Sequence, residues 1–362
     1  MKILLIITGL GMGGAERQVC DLADKFAAKD HEVLLISMTG KTVNRPLSNS
    51  VYVAELNMAK TPIGFVKAYW QAQQLIKQFN PDVVHSHMVH ANIFARLLRL
   101  TAPIKKLICT AHSSNEGGWL RMLAYRLTDR LCDISTNVSQ DAVDISVKRG
   151  AAPAERIIAM HNGIDTTRFI FNSKCRVTKR KQLKIADDTP LIFAVGRLTD
   201  AKDYPNLLNA FSLLPMDLNH AQLAIIGTGE QQAKIEALVA ELDLASRVHF
   251  LGLQRNVHEW MCAADLFVLS SAWEGFGLVV AEAMACERIV VATDCGGVKG
   301  VLGECGILVP PKDSAALSRG LCNGLAFSTV TAKSQGKLAR ERVLQKFSIE
   351  AVTNKWLELY VN

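Results

Sequence analysis

The chain has 362 residues, of which 49% are hydrophobic, 21% charged and 6% aromatic, and its formal net charge is +7. This composition excludes a disordered or fibrous protein, and the length is typical of two domains of about 150 to 200 residues each. The nine cysteines are scattered, odd in number and free of C-x-x-C pairs, which favours buried, reduced thiols over disulfides or a metal site.

The first half of the chain alternates short apolar runs with longer segments of helical period, the pattern of a parallel sheet covered by helices. The opening run from Met1 meets its first glycine too early for a secretory signal, so we expect a buried strand. Predicted strands lie near residues 2–7, 32–37, 51–55, 82–86, 106–111, 132–137 and 156–160. Predicted helices lie near residues 14–29, 63–79, 89–100, 118–130 and 139–148.

A basic segment, residues 168–184, follows this block and contains seven basic and no acidic residues. Since it shows little periodicity, we predict a solvated linker over residues 166–185. The strand and helix pattern then starts afresh, with predicted strands near 190–196, 221–226, 247–251, 265–269, 288–292 and 306–309. The prediction is an α/β fold with two Rossmann-like, doubly wound domains, 1–165 and 186–345, that face each other across a ligand-binding cleft.

A glycine-rich sequence follows the first predicted strand, and Gly13 and Gly14 open the first predicted helix. Glycine permits close approach of a ligand, and the start of a helix attracts anions. A tight strand-to-helix turn explains the same glycines without a ligand. A dinucleotide site also competes, although G-x-G-x-x-G is matched only approximately and no acidic residue ends the second strand.

Two basic residues, Arg197 and Lys202, follow the first strand of the second block. A guanidinium and an ammonium at a strand end are suited to a diphosphate whose charge grows as it leaves, although an ordinary surface pair is the alternative. Further on, Glu274 and Glu282 are separated by seven residues that contain Gly275 and Gly277. Because Glu282 lies in an apolar helical sequence, an idle carboxylate there would be costly, which favours a ligand-binding role.

Together with the turn Asn162-Gly163-Ile164-Asp165, these motifs resemble the retaining GT-B glycosyltransferases that carry an E-x7-E motif, the family 4-like group of O-antigen and capsule type. The resemblance covers essentially the whole chain. It implies an acceptor domain over 1–165 and a donor domain over 186–345. It also implies that the last helix, 346–362, returns to the first domain, with Trp356 and Tyr360 as packing residues.

The resemblance also implies the roles of individual residues. Arg197 and Lys202 would hold the donor diphosphate, and Glu282 would bind the ribose. The catalytic positions would be Glu274, at hydroxyls near the reacting centre, and His112, in contact with the donor sugar. The remaining donor-binding residues would be Gly13 and Gly14 beneath the leaving group, and Phe276, Gly277 and Leu278 through their amides.

The implied reaction is transfer of a hexosyl or N-acetylhexosaminyl group from a nucleotide-diphosphate sugar, most commonly a UDP-sugar, with retention by front-face attack. The implied acceptor is a glycan, such as a polyprenyl-diphosphate-linked sugar of O-antigen, capsule or lipopolysaccharide biosynthesis. No Asp-x-Asp pair is present, so we expect neither a metal nor a cofactor. The alternatives are a sugar-nucleotide epimerase, a nicotinamide dehydrogenase and a non-catalytic subunit of a glycan assembly complex.

Two further features bear on partners. His85 and His87 form an H-x-H pattern with no third ligand at a helpful spacing, so we interpret them as lining the acceptor site or the cleft rather than binding a metal.

Residues 118–130 form a basic, amphipathic segment next to Arg96, Arg99, Lys105 and Lys106. We predict that it lies on an anionic membrane, with an ordinary helix that buries Leu120, Leu123 and Leu127 as the alternative.

No apolar run approaches the length of a membrane span, so we expect a cytoplasmic protein, peripheral on the inner face of the membrane. The basic residues of the linker lack interleaved aromatics, and no nucleic-acid-binding motif accompanies them. Nucleic acid is therefore not expected as a partner. Acceptor specificity is expected in the loops near residues 11–17, 85–92 and 112–120.

Overall fold

The structure is a computed structural model that describes residues 1–113 and 117–362. The chain divides into two compact units. The first contains Met1–Gly163 together with Ile349–Asn362, and the second contains Ile164–Ser348. The C-terminal segment therefore belongs to the unit in which the chain begins.

The first unit is built on a parallel sheet of seven strands in the order β3-β2-β1-β4-β5-β6-β7. The strands are β1 (Lys2–Ile7), β2 (Glu32–Ser37), β3 (Val51–Glu55), β4 (Val83–His87), β5 (Leu107–Ala111), β6 (Ile134–Asn137) and β7 (Ile157–Ala159). The helices between them are α1 (Gly14–Ala27), α2 (Pro62–Phe79), α3 (Val89–Leu98), α4 (Trp119–Thr128) and α5 (Gln140–Lys148).

The second unit has a parallel sheet of six strands in the order β10-β9-β8-β11-β12-β13. The strands are β8 (Leu191–Val195), β9 (Gln222–Ile226), β10 (Val248–Phe250), β11 (Leu266–Leu269), β12 (Ile289–Thr293) and β13 (Ile307–Val309). Its helices are α6 (Ser173–Leu183), α7 (Tyr204–Ser212), α8 (Gln232–Glu241), α9 (Val257–Ala263), α10 (Leu278–Ala285), α11 (Val298–Leu302), α12 (Ser314–Leu325) and α13 (Thr329–Lys346).

The last helix, α14 (Ile349–Val361), packs in the first unit. Successive residues of a strand point to opposite faces of the sheet, and β1 follows this rule with apolar residues on both sides. Leu4 and Ile6 pack with α2 and α3, whereas Ile3, Leu5 and Ile7 pack with α1 and α14. Burial on both faces explains why β1 is a near-continuous apolar run.

The structure corrects the predicted linker, because residues 173–183 form α6 in the second unit. The side chain of Asn172 caps this helix by accepting hydrogen bonds from the amides of Lys174 and Cys175. Arg180 is buried and donates to Asp265 Oδ2 at 3.2 Å and to the Ala263 carbonyl at 3.0 Å. The basic side chains are thus not simply solvated, and α6 is held against the body of the unit.

The order of the strands reverses at one point in each sheet. In the first unit β1 lies between β2 and β4, and in the second unit β8 lies between β9 and β11. In open α/β sheets, the crevice at the carboxyl ends of the strands beside such a point is the usual ligand site. The loops that follow β1, β4, β8 and β11 are therefore the places to look for function.

All nine cysteines are free thiols, and six of them are buried. No helix in the part of the chain that the structure describes is both long and apolar enough to cross a membrane.

Candidate active site

The loop after β8 positions Lys202. This residue ends a short 3-10 helix, Asp200–Lys202, and its side chain lies across Gly196, where an added Cβ would be 3.1–3.3 Å from three of its carbons. Two hydrogen bonds fix the loop: Ser270 Oγ donates to the Lys202 carbonyl at 2.8 Å, and the Tyr204 hydroxyl donates to the Gly196 carbonyl at 3.1 Å. The lysine is therefore held close to the end of the strand.

The ammonium of Lys202 donates to the carboxylate of Glu274, which follows β11. Ser271 Oγ donates to the same carboxylate oxygen at 2.7 Å. The side chains of Lys202 and Glu274 are only 21% and 13% exposed, so their attraction is screened less than that of a surface pair. The structure thus brings together two residues that the sequence analysis assigned separately to diphosphate and sugar.

The helix α10 begins directly after Gly277, which caps it with a φ of +87°. The start of a helix leaves amide N–H groups without intrahelical partners and favours negative charge. On the same helix Glu282 is 7% exposed. The ring of Phe276 is buried and packs edge-on against Phe347, with 5.6 Å between the ring centroids, so the Phe276 side chain belongs to the core.

The structure places the other predicted basic residue, Arg197, on the surface of the same loop, directly after Gly196. The next residue, Leu198, is buried, and its amide donates to the Thr228 carbonyl at 3.0 Å. The backbone at Arg197 is therefore fixed on both sides, while its guanidinium is open to solvent.

Three glycines that were not among the predicted residues lie at the carboxyl end of the second unit's sheet, where neighbouring loops approach each other closely. A Cβ at Gly227 would lie 1.8 Å from the Gly196 carbonyl oxygen, one at Gly229 would lie 2.3 Å from that of Leu198, and one at Gly296 would lie 1.9 Å from that of Glu274. Only glycine fits where backbones approach so closely. The signal was available, since Gly227 directly follows the predicted strand 221–226, and Gly229 and Gly296 lie within four residues of the end of a predicted strand.

In the first unit, Gly13 caps α1 in an extended conformation and Gly14 is the first residue of the helix. The carboxylate of Glu16 lies directly against this loop, since a Cβ at Gly13 would be 2.2 Å from its Oε2 atom. Asn44 Nδ2 holds the loop from the other side by donating to the Gly11 carbonyl at 2.5 Å. Glu16 was not among the predicted site residues, and its carboxylate must move if an anion is to contact Gly13.

His112 follows β5 and is half-buried. Burial lowers the pKa of its imidazole to about 4, so the ring is neutral at pH 7. Its Nε2 atom lies 3.1 Å from Nδ1 of His87. Residues 114–116 of the loop predicted to select the acceptor, 112–120, lie outside the described part of the chain.

The interpretation of His85 and His87 as lining residues is wrong, because the two rings are 0% and 1% exposed. His85 Nδ1 lies 2.6 Å from the Tyr360 hydroxyl, and its Nε2 lies 2.6 Å from Thr110 Oγ1. Strand alternation places both histidines of β4 on the face that α14 covers. Over residues 1–113 and 117–362, no group of three or more His, Cys, Asp or Glu side chains is arranged to hold a metal ion.

The helix α4 presents its apolar residues to solvent, which contradicts the alternative of an ordinary helix with buried leucines. Trp119 is 72% exposed, Leu120 64%, Leu123 40% and Leu127 74%. Within this helix the buried residue is Tyr125.

The four basic residues that the sequence places next to this helix make contacts within the first unit. Arg96 is 1% exposed and donates to the Tyr125 carbonyl at 2.9 Å. Arg99 and Lys105 pair with Asp133 and Asp82, and Lys106 donates to the Leu359 carbonyl. These four residues therefore serve the first unit itself, and the exposed cations beside the apolar face are Arg121, Arg126 and Arg130.

Comparison with known proteins gives two family matches. Residues 12–168 match the model described as Glycosyltransferase Family 4, and residues 176–325 match the model described as Glycosyl transferases group 1. The lipopolysaccharide core biosynthesis glycosyltransferase LpsE of Rhizobium meliloti is 24% identical over 350 residues, covering 96% of this chain and 95% of LpsE.

A second curated relative, from Campylobacter jejuni, is named N-acetylgalactosamine-N,N'-diacetylbacillosaminyl-diphospho-undecaprenol 4-alpha-N-acetylgalactosaminyltransferase. It is 26% identical over 336 residues, which cover 88% of this chain and 89% of that protein. Among solved structures, Anabaena HepE in complex with UDP has a TM-score of 0.86 at 22% identity and covers 99% of both chains. This likeness confirms the predicted GT-B fold class.

Proposed function

The chain belongs to the glycosyltransferases, with a family 4 domain followed by a group 1 domain, and from this premise we propose that it is a retaining transferase that uses a nucleoside diphosphate sugar. The observation that carries the proposal is the contact between Lys202 and Glu274 after β8 and β11. It places a cation beside a carboxylate at the point where the strand order reverses, which is where open α/β sheets bind nucleotides.

In this proposal Lys202 and Arg197 bind the donor diphosphate. An ammonium has three N–H groups, so Lys202 can donate to Glu274 and to phosphate oxygens together. As the bond to the sugar breaks, negative charge grows on the diphosphate, and cations fixed beside it stabilise that charge without reorganisation. The amides at the start of α10, at Gly277 and Leu278, add to this field, which replaces a divalent metal.

Glu282 binds the ribose in this proposal. Its side chain is 7% exposed, and its carboxylate can accept hydrogen bonds from the ribose hydroxyls. Glu274 accepts hydrogen bonds from hydroxyls of the donor sugar. Its carboxylate is held by Lys202 and Ser271, which favours a fixed acceptor over a nucleophile that must form a covalent bond.

The reaction then proceeds on one face of the sugar. The bond from C1 to the phosphate oxygen breaks, the bond from C1 to the acceptor oxygen forms on the same side, and the acceptor proton passes to the leaving phosphate. His112, neutral at pH 7, contacts the donor sugar as a hydrogen-bonding group.

The comparisons support, for this chain, a UDP-sugar as donor and a lipid-linked glycan as acceptor. HepE was also solved with UDP-glucose, and the Campylobacter jejuni relative is named for a diphospho-undecaprenol acceptor. We place the protein in the assembly of a cell-surface glycan such as O-antigen, capsule or lipopolysaccharide, on the inner face of the cytoplasmic membrane.

Thermal shifts test the donor site, since a ligand that binds only the folded protein raises the melting temperature by mass action. We expect a larger shift with UDP than with GDP, ADP or NAD, and a smaller UDP shift in Glu282→Ala. A shift with NAD alone would instead favour a dehydrogenase. UDP-glucose and UDP-N-acetylglucosamine are then assayed with lipid-linked sugars in excess EDTA.

An α-configured product from these α-linked donors, identified by NMR, supports retention, and a β-configured product contradicts it. Strict dependence on added divalent ions would contradict the metal-free site. Release of free, epimerised sugar without an acceptor would favour an epimerase, and nucleotide binding without turnover would favour a non-catalytic subunit.

The proposed membrane contact rests on the exposed face of α4. Burial of a large apolar side chain contributes about 1.5–3 kcal/mol, so Trp119, Leu120 and Leu127 together give a substantial driving force at a bilayer surface. Exposed Arg121, Arg126 and Arg130 add attraction to anionic lipid, about 1 kcal/mol each.

Sedimentation with vesicles tests this contact. We expect binding to phosphatidylglycerol-containing vesicles, weaker binding to pure phosphatidylcholine, and loss of binding in Leu120→Ser with Leu127→Ser. The matched control changes two exposed apolar residues of the second unit, Leu213→Ser with Met216→Ser, which are 58% and 82% exposed. Equal binding of both double variants would rule out α4 as the contact.

A further inference from the structure

Three histidines of the first unit form a continuous line that ends at the proposed sugar contact. The ring centroids of His85 and His87 are 4.0 Å apart, and those of His87 and His112 are 5.3 Å apart. Nδ1 of His87 lies 3.1 Å from Nε2 of His112, which is hydrogen-bonding distance. The half-buried histidine after β5 is thus connected to the buried pair on β4.

The far end of this line is locked in place. Both ring nitrogens of His85 have partners at 2.6 Å, the Tyr360 hydroxyl and Thr110 Oγ1. The ring also packs against Trp356, at 4.4 Å between the centroids. His85 therefore cannot rotate without breaking two buried hydrogen bonds, and it forms a fixed wall against which the ring of His87 packs.

The contact between His87 and His112 contains a single proton. Burial lowers the pKa of both imidazoles, so both rings are neutral near pH 7 and each carries one N–H group. One of these two nitrogens, Nδ1 of His87 and Nε2 of His112, must donate and the other must accept, so the tautomer of His87 and the tautomer of His112 are linked through this hydrogen bond.

We propose that His87 is a positioning residue that fixes the ring orientation and the tautomer of His112, and that Tyr360 supports it through His85. This inference rests on the proposed contact of His112 with the donor sugar. It gives a function to two polar rings that are buried in a strand of the core. It also gives α14 a role in the site beyond packing.

The test compares His87→Leu with His87→Asn, because the side chain of asparagine can place a hydrogen-bonding group near the position of Nδ1 and leucine cannot. The rate is that of UDP release from UDP-glucose or UDP-N-acetylglucosamine, whichever raises the melting temperature more. We expect kcat to fall about 10–100-fold in His87→Leu, as for other residues that orient a functional side chain. The KM for the donor should stay within about twofold, and asparagine should restore most of kcat.

A second measurement does not depend on turnover. In 15N-labelled protein, the shifts of the His112 ring should report one tautomer in the wild type and in His87→Asn, and a mixture in His87→Leu. Tyr360→Phe removes only the hydroxyl and should lower kcat severalfold. Its matched control is Tyr69→Phe, which removes a hydroxyl that donates to the Leu97 carbonyl at 2.9 Å elsewhere in the unit and should leave kcat unchanged.

The outcomes separate this inference from the proposed function. If His112→Ala turns over at the wild-type rate, the role of His112 itself is wrong. If His112→Ala is inactive while His87→Leu keeps full kcat, the proposed function stands and His87 is only a packing residue. If His87→Leu does not fold, two other measurements test the inference: the tautomer of His112 in His87→Asn, and the kcat of Tyr360→Phe. A wild-type kcat in Tyr360→Phe would remove the proposed role of α14.

Discussion

At the carboxyl end of the second unit's sheet, Lys202 and Glu274 form an ion pair, whereas at the corresponding end of the first unit's sheet His87 and His112 share a hydrogen bond between neutral rings. The first arrangement supplies fixed charge beside the backbone of four loops. The second supplies hydrogen-bonding geometry with little charge, because burial keeps the imidazoles unprotonated.

This difference separates two tasks within one proposed reaction. Fixed cations bind and stabilise a diphosphate, and their effect depends on charge and distance. Neutral rings orient a sugar, and their effect depends on tautomer and angle. Substitutions in the second unit should therefore change donor affinity and rate together, while substitutions among the histidines should change rate and its dependence on pH.

The largest effect is expected for Lys202→Ala. Removal of a preorganised charge from a developing anion costs about 10²–10³-fold in turnover, and the substitution also leaves Glu274 without its cation. The measurement is kcat/KM for UDP release from the donor that gives the larger thermal shift, at constant ionic strength.

The matched control is Lys179→Ala, which removes a lysine that pairs with Glu259 at 3.0 Å on α6 and α9. It should lower the melting temperature but leave turnover of the folded protein unchanged. Equal losses in both variants would mean that the effect of Lys202 is general and that the charged site of the second unit is wrongly placed.

An intermediate effect is expected for Gly227→Ala. Its φ is +148°, and an added Cβ would lie 1.8 Å from the Gly196 carbonyl oxygen, so the loops after β8 and β9 must separate. Backbone strain costs about 1–3 kcal/mol, and overpacking costs a similar amount. Thermal unfolding with and without UDP should show lower stability and a smaller ligand-induced shift.

Gly300→Ala provides the control for this substitution. Gly300 lies within α11, and an added Cβ there would meet no heavy atom within 4 Å. Since alanine is the better helix former by about 0.5–1 kcal/mol, this variant should be unchanged or slightly more stable. A UDP shift that falls equally in both variants would show that the close approach of the two loops does not shape the donor site.

The sequence placed Lys202 and Glu274 better than the histidines, for a physical reason. Lys202 and Glu274 lie in the segments that follow β8 and β11, so the strand pattern alone places them at one edge of the sheet. The line from His112 to Tyr360 depends on the contact between His85 and Tyr360, which are 275 positions apart along the chain. No local pattern encodes such contacts, and His87 was therefore interpreted as a lining residue.

The same limit explains the correction of the linker and the two alternatives that the sequence left open for α4. Arg180 lies in a segment without acidic residues, and its partner Asp265 is 85 positions away, so a helix that packs against the second unit was predicted as a solvated linker. In α4 the spacing of Leu120, Leu123 and Leu127 predicted one apolar face but not its direction. The structure shows that this face is exposed, because the core contact of α4 is made by Tyr125.

The smallest effect concerns the response of the two units to acid. Burial lowers the pKa of His85, His87 and His112, whereas in the unfolded chain the pKa of histidine is about 6.5. As the pH falls below about 6.5, the unfolded state therefore takes up protons before the folded state does, and stability falls. For His112 this loss continues until the pH reaches its folded pKa of about 4.

Calorimetry at pH 7.5 and 5.5 measures this effect. Between pH 6.5 and 5.5 each such histidine contributes up to about 1 kcal/mol, or a few degrees in melting temperature. The decrease should be smaller in His87→Asn, which removes one of these groups from the first unit. The control in the second unit is His249→Asn. His249 is only half-buried, and burial lowers its pKa, whereas the pKa of His87 is lowered well below the usual value. If both variants reduce the pH dependence of the melting temperature equally, acid sensitivity does not distinguish the three histidines of the first unit from His249. The contrast between the Lys202–Glu274 pair and the neutral histidines would then rest on catalysis alone.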